Sequence, residues 1–391
     1  MTFASQPRRN FLRQTAWLVV GIWAAQLPAA EAGAAYDVCV YGGTASGVMA
    51  ACAAAKEGAK VILVEPSRWL GGMTGGGLMH IDWGREEAVS GSTRPILKKD
   101  YKDAQYRLAF AEMLKSAGVT VLFEHRVSAV QKVDGVIRTI DLDLAPFDEY
   151  GCPPAKPIKA LARVIQAKVF IDCSYEGDLM ARAGVDYAFG REAKSAYGES
   201  LAGAQPPMSV YAIDPYVKAG DPQSGLLPGL QSTPVAPVGE ADKLTMGYGF
   251  RWRFVFKGES LPIEPPTHYD PKQFELYRRA FQQGVDILSG RVMRGKVDGW
   301  EVSGGRVYSG GAGNLARALF APTNYGHNAG YADGDYATRA RIWKEQQDFV
   351  RGMTHFLRID PSVPAKQKEI ALSAGLEKGA FDDTRGYPHQ L

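Results

Sequence analysis

Residues 36–65 carry the pattern that most restricts what this chain can fold into. An apolar run at 36–41 leads into a turn with three glycines at 42–47, and a stretch of small residues follows at 48–56. This stretch predicts a helix that ends before Gly58, because glycine is common just past a helix C-terminus. A second apolar run follows at 60–64. Two buried strands joined by one helix form a parallel βαβ unit. A glycine-rich turn at this point of the unit is typical of dinucleotide binding.

The residue types in the turn each have a physical task. Gly42 permits the tight turn out of the first strand, and Gly47 lets the helix pack closely against it. The first amides of a helix, with about half a positive charge from the helix dipole, face a pyrophosphate in such units. We therefore predict that the cofactor phosphates bind at Gly42, Gly43, Thr44, Ala45, Ser46 and Gly47.

Glu65 and Thr44 add two further expectations. Glu65 ends the second strand, 23 residues after Gly42, where a carboxylate accepts hydrogen bonds from ribose hydroxyls. Thr44 replaces the middle glycine of the motif, at the point where the backbone comes closest to the pyrophosphate. Its side chain predicts either a phosphate displaced slightly outward or a hydrogen bond from Thr44 Oγ1 to that phosphate.

The segment after Glu65 indicates which dinucleotide is bound. Gly71, Gly72 and Met73 resemble the extended motif of the glutathione-reductase-like flavoproteins, in which this segment runs beside the pyrophosphate toward the flavin ring. Arg68 either neutralises phosphate or is a solvated loop residue. The resemblance implies that the cofactor is FAD rather than NAD.

Later segments agree with this class. A helix at 106–116 precedes a third parallel strand at 119–123, and 127–133 and 136–144 alternate around a two-residue hairpin signal at 134–135. In the resembling flavoproteins the backbone at the Val127 position meets the adenine, and a strand such as 167–172, ending here in Asp172, leads to a loop near the cofactor. The fold class that follows is α/β, with a Rossmann-like FAD-binding domain (a parallel sheet plus a β-meander) and an α+β substrate domain.

Six short motifs carry a narrower resemblance. They are IDCSYEGDL at 171–179, GRE at 190–192, YGESLAG at 197–203, PPTHYD at 265–270, NYGHN at 324–328 and YPHQL at 387–391. All are similar to a family known as FAD-dependent oxidoreductases, and the resemblance spans 36–391 with a shortened stretch near 84–103. It implies the fold and the cofactor, but no substrate, because the family has no single established one.

The chain divides at about residue 203. We assign 36–203 to the FAD-binding domain and 204–391 to a substrate or cap domain with a helical segment. Residues 204–245 predict long loops, 247–256 a strand, and 336–357 a helix that buries Ile342, Phe349, Val350 and Phe356. In the resembling family more chain follows the motif at 387–391 and returns to the FAD sheet. We therefore expect the FAD domain to be incomplete and this chain alone to bind FAD weakly.

Residues 1–34 have the pattern of an export signal. A basic head with Arg8 and Arg9 precedes an apolar run at 15–27 and small residues at 30–34. The paired arginines followed by Phe11 and Leu12 resemble a bacterial twin-arginine signal, which predicts a periplasmic or extracellular location; an ordinary secretory signal or an uncleaved anchor are the alternatives. The apolar run is shorter than the roughly 20 residues that cross a bilayer, so no stable membrane span is expected. A net charge of +3 gives no sign of a nucleic-acid partner.

The reaction implied is hydride or electron transfer between an unknown small-molecule substrate and the flavin. His80 and His327 are the first candidates for a proton-transfer role, and Tyr175, Glu176 and Arg191 are alternatives on the family-like segments. The catalytic residue and the oligomeric state stay unknown, and no metal-ligand cluster is visible in the sequence. Two other functions are open: a non-redox or degenerate flavin-binding relative, and a polysaccharide lyase-like protein.

Overall fold

A computed structural model of the chain describes residues 35–78, 85–97, 101–205, 213–230, 234–255, 258–286, 291–292 and 327–391. The predicted export signal at 1–34 and the candidate His80 lie outside these residues. Across the described ranges, no helix is both long enough and apolar enough to cross a membrane.

The strands and helices are numbered along the chain. The strands are β1 (Ala35–Tyr41), β2 (Val61–Glu65), β3 (Thr120–Phe123), β4 (His125–Val133), β5 (Val136–Leu144), β6 (Lys159–Asp172), β7 (Phe254–Val255), β8 (Val285–Asp286), β9 (Arg291–Val292) and β10 (Gly375–Leu376). The helices are α1 (Ala45–Lys56), α2 (Met73–Gly76), α3 (Asp103–Ser116), α4 (Asp178–Arg182), α5 (Lys194–Tyr197), α6 (Glu275–Gln282), α7 (Tyr336–Ile359) and α8 (Ala365–Ser373).

Six strands form one sheet in the order β3-β2-β1-β6-β5-β4. The first four are parallel, and β5 and β4 extend the sheet as an antiparallel hairpin. The hairpin turns at Asp134 and Gly135, whose φ angles of 53° and 76° suit a two-residue turn with both residues in the left-handed region. The predicted α/β fold with a parallel sheet and a β-meander is confirmed.

The two faces of the sheet bury different residues, because successive side chains of a strand point to opposite sides. Val40 and Leu63 pack with apolar residues of α1 and α3 on one face. Tyr41 and Val64 belong to the other face, where Val127 of β4 joins them. Because β1 and β2 are parallel, their carboxyl ends lie at the same edge of the sheet, beside the glycine-rich turn.

A second core lies in the later part of the chain. It is built mainly from aromatic residues of α6 and α7 and the segment around 250–254, and it includes four residues that the sequence placed on the buried side of α7: Ile342, Phe349, Val350 and Phe356. The predicted domain boundary at 203 stays a prediction.

The strand predicted at 247–256 is wrong for most of its length. Among the described residues of this stretch, 247–255, only Phe254–Val255 pairs, with Gly375–Leu376 of β10. The alternation came from burial of Phe250, Trp252 and Phe254 in the second core rather than from a paired strand. Alternating burial satisfies the side chains, but a strand also needs a partner for its backbone groups.

Candidate functional site

The turn after β1 depends on its glycines. Gly42 has a φ of +95°, and a Cβ there would lie 2.6 Å from the main-chain nitrogen of Ser174. A Cβ on Gly47 would lie only 1.9 Å from the carbonyl oxygen of Gly42. Because real Cβ atoms do not approach backbone so closely, glycine alone lets α1 start directly against the turn.

Thr44 is the N-cap of α1. Its Oγ1 accepts a hydrogen bond from the Gly47 amide at 3.2 Å and donates one to the Cys173 carbonyl oxygen at 2.8 Å. The hydroxyl hydrogen is thus used inside the protein, although the sequence had also allowed a bond from this group to phosphate. Within the described chain, the Ala45 and Ser46 amides have no acceptor, as expected at the start of a helix.

Glu65 lies against this turn at the end of β2. Its Oε2 accepts a hydrogen bond from the Gly43 amide at 2.5 Å, and its Oε1 accepts from the amide and hydroxyl of Ser67 at 2.8 and 2.6 Å. The side chain is buried, and burial raises the pKa of the carboxyl group while the bonds from Ser67 and Gly43 act to lower it. The carboxylate therefore stands beside the amides that the sequence assigned to phosphate.

The glycine pair after Glu65 is tied to the same turn. The Gly71 amide donates to the Gly43 carbonyl oxygen at 2.7 Å, and the Met73 amide donates to the Tyr175 hydroxyl at 2.7 Å. Tyr175 also covers Gly72, where an added Cβ would lie 2.4 Å from its hydroxyl oxygen. The loop thus runs directly beside the start of α1.

One cavity connects these parts. Its wall includes Gly42, Thr44 and Glu65 at the strand ends, Gly72 and Gly76 in the glycine loop, and the 174–176 segment after β6. Arg126 of β4, the start of α7 and the segment 389–390 complete it. Two of the alternative catalytic candidates, Tyr175 and Glu176, are therefore in the cavity wall.

Several residues singled out from the sequence lie elsewhere. Arg68 donates to the carbonyl oxygens of Phe147 and Asp148 at 2.7 and 3.2 Å, so it stabilises a loop and does not line the cavity. The Asp172 carboxylate accepts bonds from Ser174 and Met180 and shapes the turn after β6. Their contact with a cofactor stays a prediction.

Arg191 and His327 are not in the cavity wall. Arg191 is paired with Asp242 through both its backbone and its guanidinium group, with Nε donating to Oδ1 at 2.8 Å. That pairing joins two loops of the later part of the chain. His80 lies outside the described residues.

Two tyrosine hydroxyls meet the backbone of Val127. The Val127 amide donates to Tyr41 at 3.2 Å, and Tyr336, the first residue of α7, donates to the Val127 carbonyl oxygen at 2.8 Å. Tyr336 lines the cavity and Tyr41 lies in the sheet core. The sequence had placed Val127 beside the adenine, but it had not indicated that a tyrosine from α7 would reach it.

The sequence also gave no role to His389. Its ring stacks on Trp69 at 3.8 Å between centroids, and Nε2 lies 3.0 Å from an Asp383 carboxylate oxygen. Burial lowers the pKa of His389 to about 4, so the ring is neutral at pH 7. Burial acts to raise the pKa of Asp383, but the contacts from His389, Trp69 and Arg68 outweigh it and hold that pKa well below its usual range. The amides of 389 and 390 donate to the Gly76 carbonyl oxygen, which fixes this segment on the glycine loop.

The fold and the site together define a dinucleotide-binding α/β protein with its ligand edge at the carboxyl ends of parallel strands. A family model for FAD dependent oxidoreductases matches residues 37–390. The chain belongs to the FAD dependent oxidoreductase family, and its cofactor is FAD. No curated protein matches the chain significantly.

Several solved structures are partly similar. They include a geranylgeranyl bacteriochlorophyll reductase-like protein from Thermoplasma acidophilum (18% identity, 39% of this chain and 42% of that chain, TM-score 0.27). THI4 from Thermovibrio ammonificans shows 18% identity over 53% of this chain and 76% of that chain, with a TM-score of 0.29. The glycerol-3-phosphate dehydrogenase from Bacillus halodurans, complexed with FAD, shows 16% identity over 39% and 37%, with a TM-score of 0.28. The first and third of these matches span less than half of the length of the matched chains.

The residues of the site fit FAD. The acceptor-free amides of Ala45 and Ser46 suit a pyrophosphate, and the absence of a side chain at Gly42 and Gly47 lets α1 start directly against the turn that presents these amides. Glu65 is the carboxylate that a ribose requires, and it lines the same cavity.

Proposed function

We propose that this protein transfers hydride or electrons between a small-molecule substrate and FAD. The observation that carries the proposal is the continuous cavity, which joins Gly42, Thr44 (the N-cap of α1) and Glu65 to Gly72, Gly76 and the 174–176 segment. The start of α1 would hold the phosphates of a dinucleotide, and the cavity continues from Thr44 to the glycine loop. FAD, when bound, supplies the acceptor or donor of the transferred electrons.

In this proposal the residues of the chain bind the cofactor, orient it and exclude water. The amides of α1 hold phosphate and the Glu65 carboxylate holds the ribose. Trp69, Phe147 and Trp343 give the cavity wall an aromatic part. Water excluded by such side chains cannot compete for the hydrogen bonds of the bound groups, so those bonds are stronger.

Within this proposal, Glu176 is the residue that holds a proton beside the substrate. It lines the cavity, and burial raises the pKa of its carboxyl group despite the opposing charge of Arg339. A carboxyl group with a raised pKa exchanges protons nearer neutral pH than an ordinary one. Tyr175 is its neighbour, but its hydroxyl already accepts a bond from Met73 and holds the glycine loop.

We also propose that the protein is exported to the periplasm. The support is the basic head with paired arginines, the short apolar run and the small residues that end at residue 34. Fusion of residues 1–40 to a reporter that is active only outside the cytoplasm tests this proposal. Replacement of Arg8 and Arg9 by lysine should stop export by a twin-arginine route.

The visible spectrum of the purified mature protein tests the cofactor, and anaerobic mixing with amines, hydroxy acids and sugars tests the reaction. Bleaching of the flavin absorption by one of these compounds supports the proposal. Flavin that binds but is never reduced favours a non-redox relative, and polysaccharide cleavage without flavin favours a lyase. With the compound that reduces the wild type, Glu176→Gln should slow bleaching, whereas the exposed control Glu192→Gln should not.

A further inference from the structure

The ring of Tyr336 occupies a defined place in the cavity. It lies under two guanidinium groups, with the central carbons of Arg126 and Arg182 at 4.1 and 4.6 Å from its centre. Its hydroxyl donates to the Val127 carbonyl oxygen at 2.8 Å. The same cavity is lined by Gly42 and Glu65, so Tyr336 shares the space that begins at the phosphate and ribose end.

These contacts are the ones that a purine ring would make. A purine has a flat π-face for a guanidinium group, and the amino group of adenine is a donor for a carbonyl oxygen. Arg126 Nε is buried and has no hydrogen-bond partner in the part of the chain that the structure describes, although its Nη1 donates to Pro154. The wall around Tyr336 thus retains a donor that the tyrosine does not satisfy.

Val127 is also in the right position along the sheet. Glu65 of β2 is paired with Phe123 of β3, and β4 starts two residues later at His125. Val127 is thus four residues along the chain from Phe123, the residue that pairs with Glu65. In a nucleotide the base is attached directly to the ribose.

We propose that Tyr336 is an internal competitor of FAD, with its ring in the place of the adenine ring, and that it must swing out before the dinucleotide binds fully. The inference rests on FAD binding at the first turn of α1. Tyr41, the other tyrosine at Val127, is fully buried in β1 and stays in place. Tyr336, by contrast, is only partly buried and is the first residue of α7.

The helix itself need not move. Arg339 Nη1 donates to both carboxylate oxygens of Asp178 at 2.8 Å, and Arg339 Nε donates to the Tyr331 carbonyl oxygen at 2.9 Å. This buried ion pair holds the first turn of α7 on α4. Rotation of one side chain therefore separates the closed and open states, and the apparent affinity for FAD is the intrinsic affinity reduced by the open fraction.

Two substitutions of Tyr336 measure the competition. Tyr336→Phe removes the hydrogen bond to Val127, which should raise the apparent affinity for FAD about 2- to 10-fold. Tyr336→Ala also removes the ring and its contacts with Arg126 and Arg182, which should raise it about 10- to 100-fold. Tyr269→Phe is the matched control, because its buried hydroxyl has no partner among the described residues and does not line the cavity.

The experiment is calorimetric titration of the flavin-free protein with FAD and with ADP, which has the adenine and the pyrophosphate but no flavin. Thermal unfolding of each ligand-free variant shows that it is folded. Both ligands should bind more tightly to the two Tyr336 variants than to the wild type. The control should bind both with the affinity of the wild type. Equal or weaker FAD affinity in both variants, or a gain for FAD with none for ADP, would overturn the inference and leave the proposed function standing. If no variant binds FAD, the inference and the proposed function both fail.

Discussion

Glu65→Gln is the most direct test of the ribose and phosphate end of the site. Both oxygens of the Glu65 carboxylate accept hydrogen bonds from protein amides, Oε2 from Gly43 and Oε1 from Ser67. A glutamine has one oxygen and one NH2 group, so whichever way it turns, its NH2 meets an N–H donor. At least one hydrogen bond is lost, because Oε2 accepts one and Oε1 accepts two, and at least one buried donor is left without an acceptor.

The size of the effect follows from these contacts. Hydrogen bonds to a charged group contribute about 1.5–3 kcal/mol, and an unsatisfied buried donor costs about 1–3 kcal/mol. We therefore expect the free energy of unfolding to fall by about 2.5–6 kcal/mol. Loss of the charged acceptor for the ribose hydroxyls should weaken FAD binding about 10- to 100-fold.

Urea unfolding of the flavin-free protein measures the first quantity, and calorimetric titration with FAD measures the second. Glu57→Gln is the control, since it removes the same charge at an exposed position just after α1. An FAD affinity for Glu65→Gln within twofold of the wild type would show that this carboxylate does not bind the ribose. The reasoning about the ligand edge of the sheet would then be wrong, whatever happened to stability.

Three further substitutions probe the same region. Gly47→Ala should abolish FAD binding in a titration and lower the thermal unfolding midpoint, because its Cβ would lie 1.9 Å from the Gly42 carbonyl oxygen and α1 would have to move. Thr44→Val removes the N-cap hydroxyl and its bond to Cys173, and should lower the free energy of unfolding in urea by about 1–2 kcal/mol; a loss below about 0.3 kcal/mol would contradict the capping role. Burial lowers the pKa of His389 to about 4 in the folded protein, whereas a histidine in the unfolded chain has a pKa of about 6.5. Between about pH 4 and pH 6.5 the unfolded chain therefore binds more protons than the folded protein. The free energy of unfolding should therefore fall by up to about 3 kcal/mol from pH 7 to pH 4. In urea unfolding at pH 7, 6 and 5, His389→Asn should remove most of the fall that occurs over this range. An unchanged slope of the free energy of unfolding against pH would show that His389 is not the group responsible.

The sequence predicted the cofactor end of the fold because its requirements are local. Gly42 is needed because of its φ of +95° and Gly47 because of a backbone contact within the same turn, and Glu65 lies one helix and one strand further on. The hairpin at Asp134 and Gly135 is equally local, since its two positive φ angles favour those residue types. Each of these features can be recognised without knowing what packs against it.

The segment at 247–256 shows where a local pattern misleads. Its alternation correctly marks Phe250, Trp252 and Phe254 as buried, but burial and strand pairing are separate conditions. Pairing needs a second strand at the right distance, and β10 supplies only two residues, 121 positions further along the chain. A period of two in the sequence cannot report whether such a partner exists.

The same reasoning separates the two ends of the cavity. The residues predicted to bind phosphate and ribose are at most 23 positions apart, whereas the bond between Tyr336 and Val127 joins residues 209 positions apart. Nothing around Tyr336 in the sequence distinguishes it from any tyrosine at the start of an amphipathic helix. The dinucleotide fingerprint therefore lies in one short βαβ unit, and the motif that indicates FAD follows it at 71–73. In our proposal, the affinity for FAD also depends on Tyr336, a side chain that only the tertiary fold brings to the site, so two chains with identical fingerprints are expected to differ in FAD affinity.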